Sequence, residues 1–271
     1  MIAMYAMGGG LGHLARARRV LQALGHAEEE AAIFSASPLA QGPGIVRVPR
    51  RLARSRAEFG AWLKEKLHSL APSAVVVDAF PLGILGELAD ARVLPEVPLY
   101  HVARLLKWDA YRAAFPGYPR KYQVSYTVED LAPGHEKFLG EHSEQVLRLG
   151  LSSNQERKTD NPFQDPVWLI VHSGPASEVR ALLDFSFDKS RTENVAPRFV
   201  VVSPRALDLP AGVERISHPR AWELFPHAER IVTACGFNSM LEAAPWRGKH
   251  LFLPLERRFD DQQLRAERAR C

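Results

Sequence analysis

The sequence predicts an α/β chain organised as two domains, each around a parallel sheet, and three observations lead there. Short apolar or β-branched runs alternate with amphipathic stretches along the chain, the pattern of βα units. The first run opens into a glycine-rich loop, Gly8-Gly9-Gly10-Leu11-Gly12-His13. A polar stretch with two prolines at 152–166 (SSNQERKTDNPFQDP) separates two halves that repeat the same logic.

In the first half, strands are expected at 2–7, 31–35, 45–48, 74–78, 99–102 and 124–128. Helical periodicity appears at 14–24 and at 59–70, where Phe59, Leu63, Leu67 and Leu70 share one face. In the second half, strands are expected at 168–172, 198–202, 213–216, 230–233 and 250–253, separated by helical or loop stretches. The boundary therefore falls in the polar stretch, giving domains 1–151 and 167–271 with a linker at 152–166. Two such domains imply a cleft between facing strand ends, a common place for ligands.

Composition narrows the class. The chain has 271 residues, 46% hydrophobic and 24% charged, as expected of a globular protein. No apolar run approaches the roughly 20 residues that a membrane span needs. Residues 1–7 lack a basic leader region and run straight into glycines, unlike a signal peptide. The two cysteines, Cys235 and Cys271, make no disulfide framework, and a cytoplasmic setting is expected. The net charge of +4 suits phosphate-bearing ligands or peripheral contact with an anionic membrane, or is simply a mildly basic surface. No basic stripe or RNA-binding signature marks a nucleic-acid partner.

The glycine loop stands between a strand and a helix, where backbone can approach a ligand and the helix start favours an anion. Gly10-Leu11-Gly12-His13-Leu14-Ala15 fits the relaxed dinucleotide pattern. The second strand, however, ends in AAIFSASP at 31–38 with no carboxylate to hold a ribose, which argues against hydride chemistry on NAD. His13 has the right chemistry to take a proton from an acceptor hydroxyl near neutral pH. Asp78 ends the buried-strand signature Ala74-Val75-Val76-Val77 on the same sheet rim. It either binds the imidazole Nδ1–H and fixes the tautomer, or caps a helix beginning near Leu82 or bonds loop amides.

In the second half, a strand leads into Ala234-Cys235-Gly236-Phe237-Asn238-Ser239 and then a helix holding Glu242. Gly236 suits a tight turn and Asn238 and Ser239 suit capping, or diphosphate binding without a metal. Glu242 can offer two oxygens to two ribose hydroxyls. His172-Ser173-Gly174-Pro175 follows the first expected strand of this half and reads as a strand-ending turn. The segment 101–120 mixes cations and aromatics. It lines an acceptor through Arg104, Lys107 and Trp108, or it is a solvated helix with one buried aromatic edge.

These residues resemble the nucleotide-sugar signature of the UDP-glycosyltransferases, H-C-G-x-N-S-x-x-E followed by P-x-x-x-x-D-Q. Cys235-Gly236, Asn238-Ser239 and Glu242 match in register, and Pro254 and Asp261-Gln262 follow with a slightly longer gap. The Gly8–His13 loop is similar to that of these enzymes and of the bacterial peptidoglycan N-acetylglucosaminyltransferase. Gly12-His13-Leu14-Ala15-Arg16 also resembles the G-H-x-x-R pattern of bacterial predicted transferases. The resemblance implies a GT-B fold and inverting, metal-independent transfer of a hexosyl or N-acetylhexosaminyl group.

It further implies a UDP-sugar donor, no other cofactor, and a small-molecule or lipid-linked acceptor. By the same resemblance, His13 is the base and Asp78 its partner. Gly10 and Gly12 meet the donor, as do Ser173, Gly174, Cys235 and Gly236. Asn238 and Ser239 contact the diphosphate, Glu242 the ribose, and Asp261 and Gln262 the sugar hydroxyls. The chain departs from the pattern at Ala234, where the family has histidine, and at Ile216-Ser217-His218, where the base-stacking tryptophan is missing. Family members continue past the D-Q helix, so the C-terminal domain is expected to be short. Two other readings keep the fold. One is a nucleotide-sugar-binding subunit without catalysis; the other is a sugar-nucleotide epimerase, for which Asp261 and Glu256 supply part of an acidic set.

Overall fold

The computed structural model describes residues 1–8, 10–152 and 160–270. The chain divides into two compact units, Met1–Leu151 with Arg258–Asp260, and Ser152–Arg257 with Asp261–Cys271. Of the expected linker, 153–159 lie outside the described residues.

The first unit opens with β1 (Ile2–Tyr5), α1 (Gly12–Ala23), β2 (Ala31–Ser35), β3 (Ile45–Arg47), α2 (Arg56–Leu70), β4 (Ala74–Asp78) and β5 (Leu99–Ala103). It continues with α3 (Trp108–Ala114), β6 (Tyr122–Thr127), α4 (Pro133–His142) and β7 (Ser143–Arg148). All seven strands are parallel, in the order β3-β2-β1-β4-β5-β6-β7. Chain order turns back between β1 and β4, where Tyr5 pairs with Val77, and such a reversal opens a crevice at the carboxyl ends of the two strands.

The core follows from the apolar runs. Ala3, Tyr5, Val75 and Val77 project to the same side and pack with Phe34 and with Phe59, Leu63 and Leu67 of α2. The expected face of α2 is thus the one it buries, with Leu70 partly covered. Ser55 starts this helix by accepting the Glu58 N–H at 3.3 Å. Strand β7 was not expected from the sequence. Only Ser143 of its six residues is buried, so it carries no apolar alternation to read.

The second unit contains β8 (Val167–Val171), α5 (Ala176–Thr192), β9 (Arg198–Val202), β10 (Val213–Ile216), β11 (Arg230–Ala234), α6 (Phe237–Ala243), β12 (His250–Leu253) and α7 (Gln262–Arg270). Its parallel strands run β10-β9-β8-β11-β12, so here the order reverses between β8 and β11. Trp168, Ile170 and Val232 pack against α5 through Val179, Leu182 and Leu183. Leu169, Val200 and Ile231 build a second core on the opposite face with Phe225 and Ala243. No helix among the described residues is long and apolar enough to cross a membrane.

Candidate active site

Three side chains meet where β1 and β4 end. His13 is the second residue of α1, and its Nδ1 lies 2.7 Å from Asp78 Oδ2. Arg16, three residues further on the same helix, donates from Nε to Asp78 Oδ1 at 2.6 Å and from Nη2 to Oδ2 at 2.7 Å. The same Nη2 is 3.0 Å from His13 Nδ1. Spacing of three places both side chains on one helix face. Asp78 is fully buried, whereas the His13 side chain keeps 16% of its surface in solvent.

The electrostatics follow from that arrangement. Burial lowers the His13 proton affinity below the ordinary histidine value; the Asp78 hydrogen bond opposes this and the Arg16 charge adds to it. The ring is therefore neutral at neutral pH and able to accept a proton. Burial alone would raise the Asp78 carboxyl, but Arg16 and His13 hold it far below the carboxylate range. Asp78 caps no helix near Leu82. The next helical turn is a short 3₁₀ segment at Glu87–Ala89, preceded by Gly86.

The backbone around the dyad is shaped for close approach. A Cβ on Gly8 would stand 2.1 Å from His13 Cδ2 and 2.8 Å from Nε2, so only glycine lets the ring lie over this strand end. Gly10, by contrast, has open space around it, and Gly12 is the first residue of α1. After Asp78 the chain turns sharply. Ala79 has φ 67°, and the Phe80 N–H reaches back to the Asp78 carbonyl at 2.9 Å, the tight γ-turn that L-residues adopt rarely. That turn brings Phe80 beside His13, with ring centroids 5.6 Å apart. Phe259 packs against Phe80 in turn, and Arg104 pairs with Asp260 in the same unit.

The expected acceptor-side residues both lie in the first unit. Trp108 is buried and stacked on His135, centroids 4.0 Å apart and planes 6° apart, and Arg104 is buried against Asp260. Trp108 opens α3 with its ring buried, whereas Arg104 precedes that helix and its guanidinium carbon lies 5.9 Å from the centre of the Phe80 ring.

The second unit holds its own cluster at the reversal between β8 and β11. His172 Nε2 lies 2.6 Å from Glu178 Oε2, and Arg257 grips the same carboxylate with Nη1 at 2.7 Å and Nη2 at 2.6 Å. Burial would raise Glu178, yet Arg257 and His172 hold it below the usual value. Gly174 makes the arrangement possible, since a Cβ there would fall 2.3 Å from His172 Nε2 and 2.5 Å from Glu178 Oε2. The Ser173 carbonyl accepts from Arg205 Nε at 3.0 Å.

Asn238, Ser239 and Glu242 all sit on α6, each half-buried. The helix starts at Gly236, so Asn238 and Ser239 lie inside it rather than at its N-cap. Gly236 has φ −68° and ψ 147°, ordinary extended geometry, and needs no glycine for a turn. Cys235 is buried, and its carbonyl accepts from Arg265 Nη1 at 2.8 Å. Asp261 caps α7 by accepting the Leu264 N–H at 3.0 Å, and Gln262 Oε1 accepts the Leu255 N–H at 3.0 Å. The last two residues therefore brace the loop between β12 and α7. No cluster of three or more His, Cys, Asp or Glu able to hold a metal occurs among the described residues.

Sequence reasoning assigned no role to Arg16, Glu178 or Arg257. Arg16 alone had a signal, the Gly12-His13-x-x-Arg16 pattern; Glu178 and Arg257 stand 79 residues apart and meet only through the fold.

No protein-family model matches this sequence, and no curated protein does. Solved structures do match. The glycotransferase of kitacinnamycin superposes with a TM-score of 0.59 at 16% identity, over 99% of this chain and 83% of the other. The spinosyn rhamnosyltransferase complexed with thymidine diphosphate gives 0.57 at 13%, over 99% and 84%. A glycosyltransferase from Streptomyces sp. SF2575 gives 0.52 at 14%, over 99% and 84%. The chain has the two-domain α/β fold of the GT-B glycosyltransferases. At these identities the likeness is one of fold.

Proposed function

We propose that this protein transfers a glycosyl group from a nucleoside-diphosphate sugar to a hydroxyl acceptor, with inversion and without a metal. The observation that supports this most is the His13–Asp78 pair at the strand-order reversal, with a neutral ring and part of its edge open to solvent. His13 Nε2 takes the proton of the acceptor hydroxyl as its oxygen forms a bond to the anomeric carbon. The bond from that carbon to the diphosphate oxygen breaks, and the nucleoside diphosphate leaves with the electron pair. Asp78 accepts the Nδ1–H bond throughout and stabilises the imidazolium that forms.

The second unit is assigned the donor. Ser173 and Gly174, with Cys235 and Gly236, place backbone at the β8–β11 reversal. Asn238 and Ser239 are assigned the diphosphate and Glu242 the ribose. Asp261 and Gln262 act by holding the loop that precedes α7, and Gly10 and Gly12 complete the glycine loop of the first unit. UDP is the proposed nucleotide and a hexosyl or N-acetylhexosaminyl group the proposed sugar. Thymidine diphosphate, carried by the spinosyn rhamnosyltransferase structure, is the competitor to test against it.

Calorimetric titration with UDP, TDP, GDP and ADP, with and without EDTA, tests the donor assignment. Saturation by UDP that EDTA leaves unchanged and Glu242→Ala weakens is the expected result; no binding to a folded sample overturns it. His13→Ala is expected to remove transfer by 100-fold or more, on the order of what a general base contributes. Donor binding with no transfer to any acceptor would favour the non-catalytic reading.

A further inference from the structure

We infer that Arg16 is a positioning residue for the proposed base: by clamping both oxygens of Asp78, it decides which nitrogen of His13 carries the proton. The inference rests on reading His13 as the base.

The geometry poses a choice. His13 Nδ1 lies 2.7 Å from Asp78 Oδ2 and 3.0 Å from Arg16 Nη2. It can donate to the carboxylate or accept from the guanidinium, but a neutral ring cannot do both at Nδ1. In the first tautomer the lone pair is at Nε2, on the ring edge beside Gly8, where it can take a proton from a hydroxyl. In the second, Nε2 carries the proton and has no base function. The Nδ1 lone pair would then stand against an anionic oxygen at 2.7 Å. The first tautomer is favoured as long as Asp78 stays ionised with Oδ2 turned to the ring.

Arg16 secures both conditions. Its two donors engage Asp78 side on, at 2.6 and 2.7 Å, and a fork of this kind fixes the plane of the carboxylate as well as its charge. A lysine in the same place would supply charge without the plane. Three charged groups act on the ring: Asp78 at the end of β4, Arg16 on α1 and Arg104, which follows β5. The two arginines oppose a proton on His13 and Asp78 favours one. Arg16 therefore directs Nδ1–H at Asp78 while keeping the ring a free base.

Nitrogen NMR of protein labelled in histidine, with His13 identified by its loss in His13→Gln, reads tautomer and titration without any assay of transfer. The wild type is expected to show the Nδ1–H tautomer and to titrate below about 6.5. Arg16→Gln should raise the midpoint by about one pH unit, roughly tenfold in proton affinity, and the acid limb of kcat/KM should move with it. Arg16→Lys should restore most of the low midpoint while kcat stays reduced. A wild-type His13 with the proton on Nε2, or with a midpoint at or above about 6.5, overturns the inference. So does an unshifted midpoint in folded Arg16→Gln. Should that variant not fold, the wild-type tautomer decides. A shifted His13 in a protein without transferase activity sinks the proposed function and leaves Arg16's role standing; an active enzyme with an unshifted His13 does the reverse.

Discussion

Residue 8 shows how a single missing methyl sets the site. The His13 ring occupies the volume that a Cβ at this position would need, with Cδ2 only 2.1 Å from it. Gly8→Ala must therefore displace the imidazole, and misplacing a base by even about 1 Å costs on the order of 100-fold in rate. We expect the variant to lose transfer with nucleotide binding intact, since the donor is assigned to the other unit; equal loss of both would mean that residue 8 serves folding alone. Ala79 is the companion case, held at φ 67° in the turn that follows Asp78. The glycine loop and His13 are readable in the sequence because glycines between a strand and a helix let backbone approach a ligand at the helix start. Which glycine matters is not readable, because the crowding at Gly8 and the open space at Gly10 are properties of a side chain five residues away from the first.

At the scale of elements, the strands buried on both faces were the legible ones. β4 is AVVVD and β8 is VWLIV, runs whose length and branching leave little choice. β7 and α6 were harder for opposite reasons: β7 is mostly exposed, and α6 is a short helix whose Asn238 and Ser239 imitate caps while lying inside it. The loop from β8 to α5 gives a test at this scale. Gly174 yields the space in which His172 and Glu178 meet, and Arg257 closes on the same carboxylate. A Cβ at 174 forces these groups apart, and we expect Gly174→Ala to cost about 1–3 kcal/mol in urea unfolding. Glu178→Gln in the same background should then add little, because the network is already broken. Additive losses would show that Gly174 acts independently of it.

Across the whole molecule, both units bury histidines as neutral rings, and this sets how the protein responds to acid. Burial pushes His101 in the first unit and His250 in the second down to about 4, and His135 well below the ordinary value. His13 and His172 are lowered as well. In the unfolded chain all five titrate near about 6.5. Between that value and about 4 the unfolded state binds more protons than the folded one, so stability falls as pH falls through this window. Each fully buried ring contributes up to about 1.4 kcal/mol per pH unit, less where solvent reaches it as at His13. Asp78 and Glu178, both lowered, extend the loss at still lower pH, while Glu87, raised by burial, opposes it. Urea midpoints measured from pH 7.5 down to 4.5 should therefore fall steadily; a flat profile over that range would contradict the buried neutral rings. His135 permits a sharper version, because neither of its ring nitrogens has a hydrogen-bond partner among the described residues and its ring stacks on Trp108. Phenylalanine keeps an aromatic ring against that indole and removes two buried polar atoms. His135→Phe should be as stable as wild type or more so at pH 7.5, and its advantage should widen as the pH is lowered, because one proton-binding difference between the two states has been taken away.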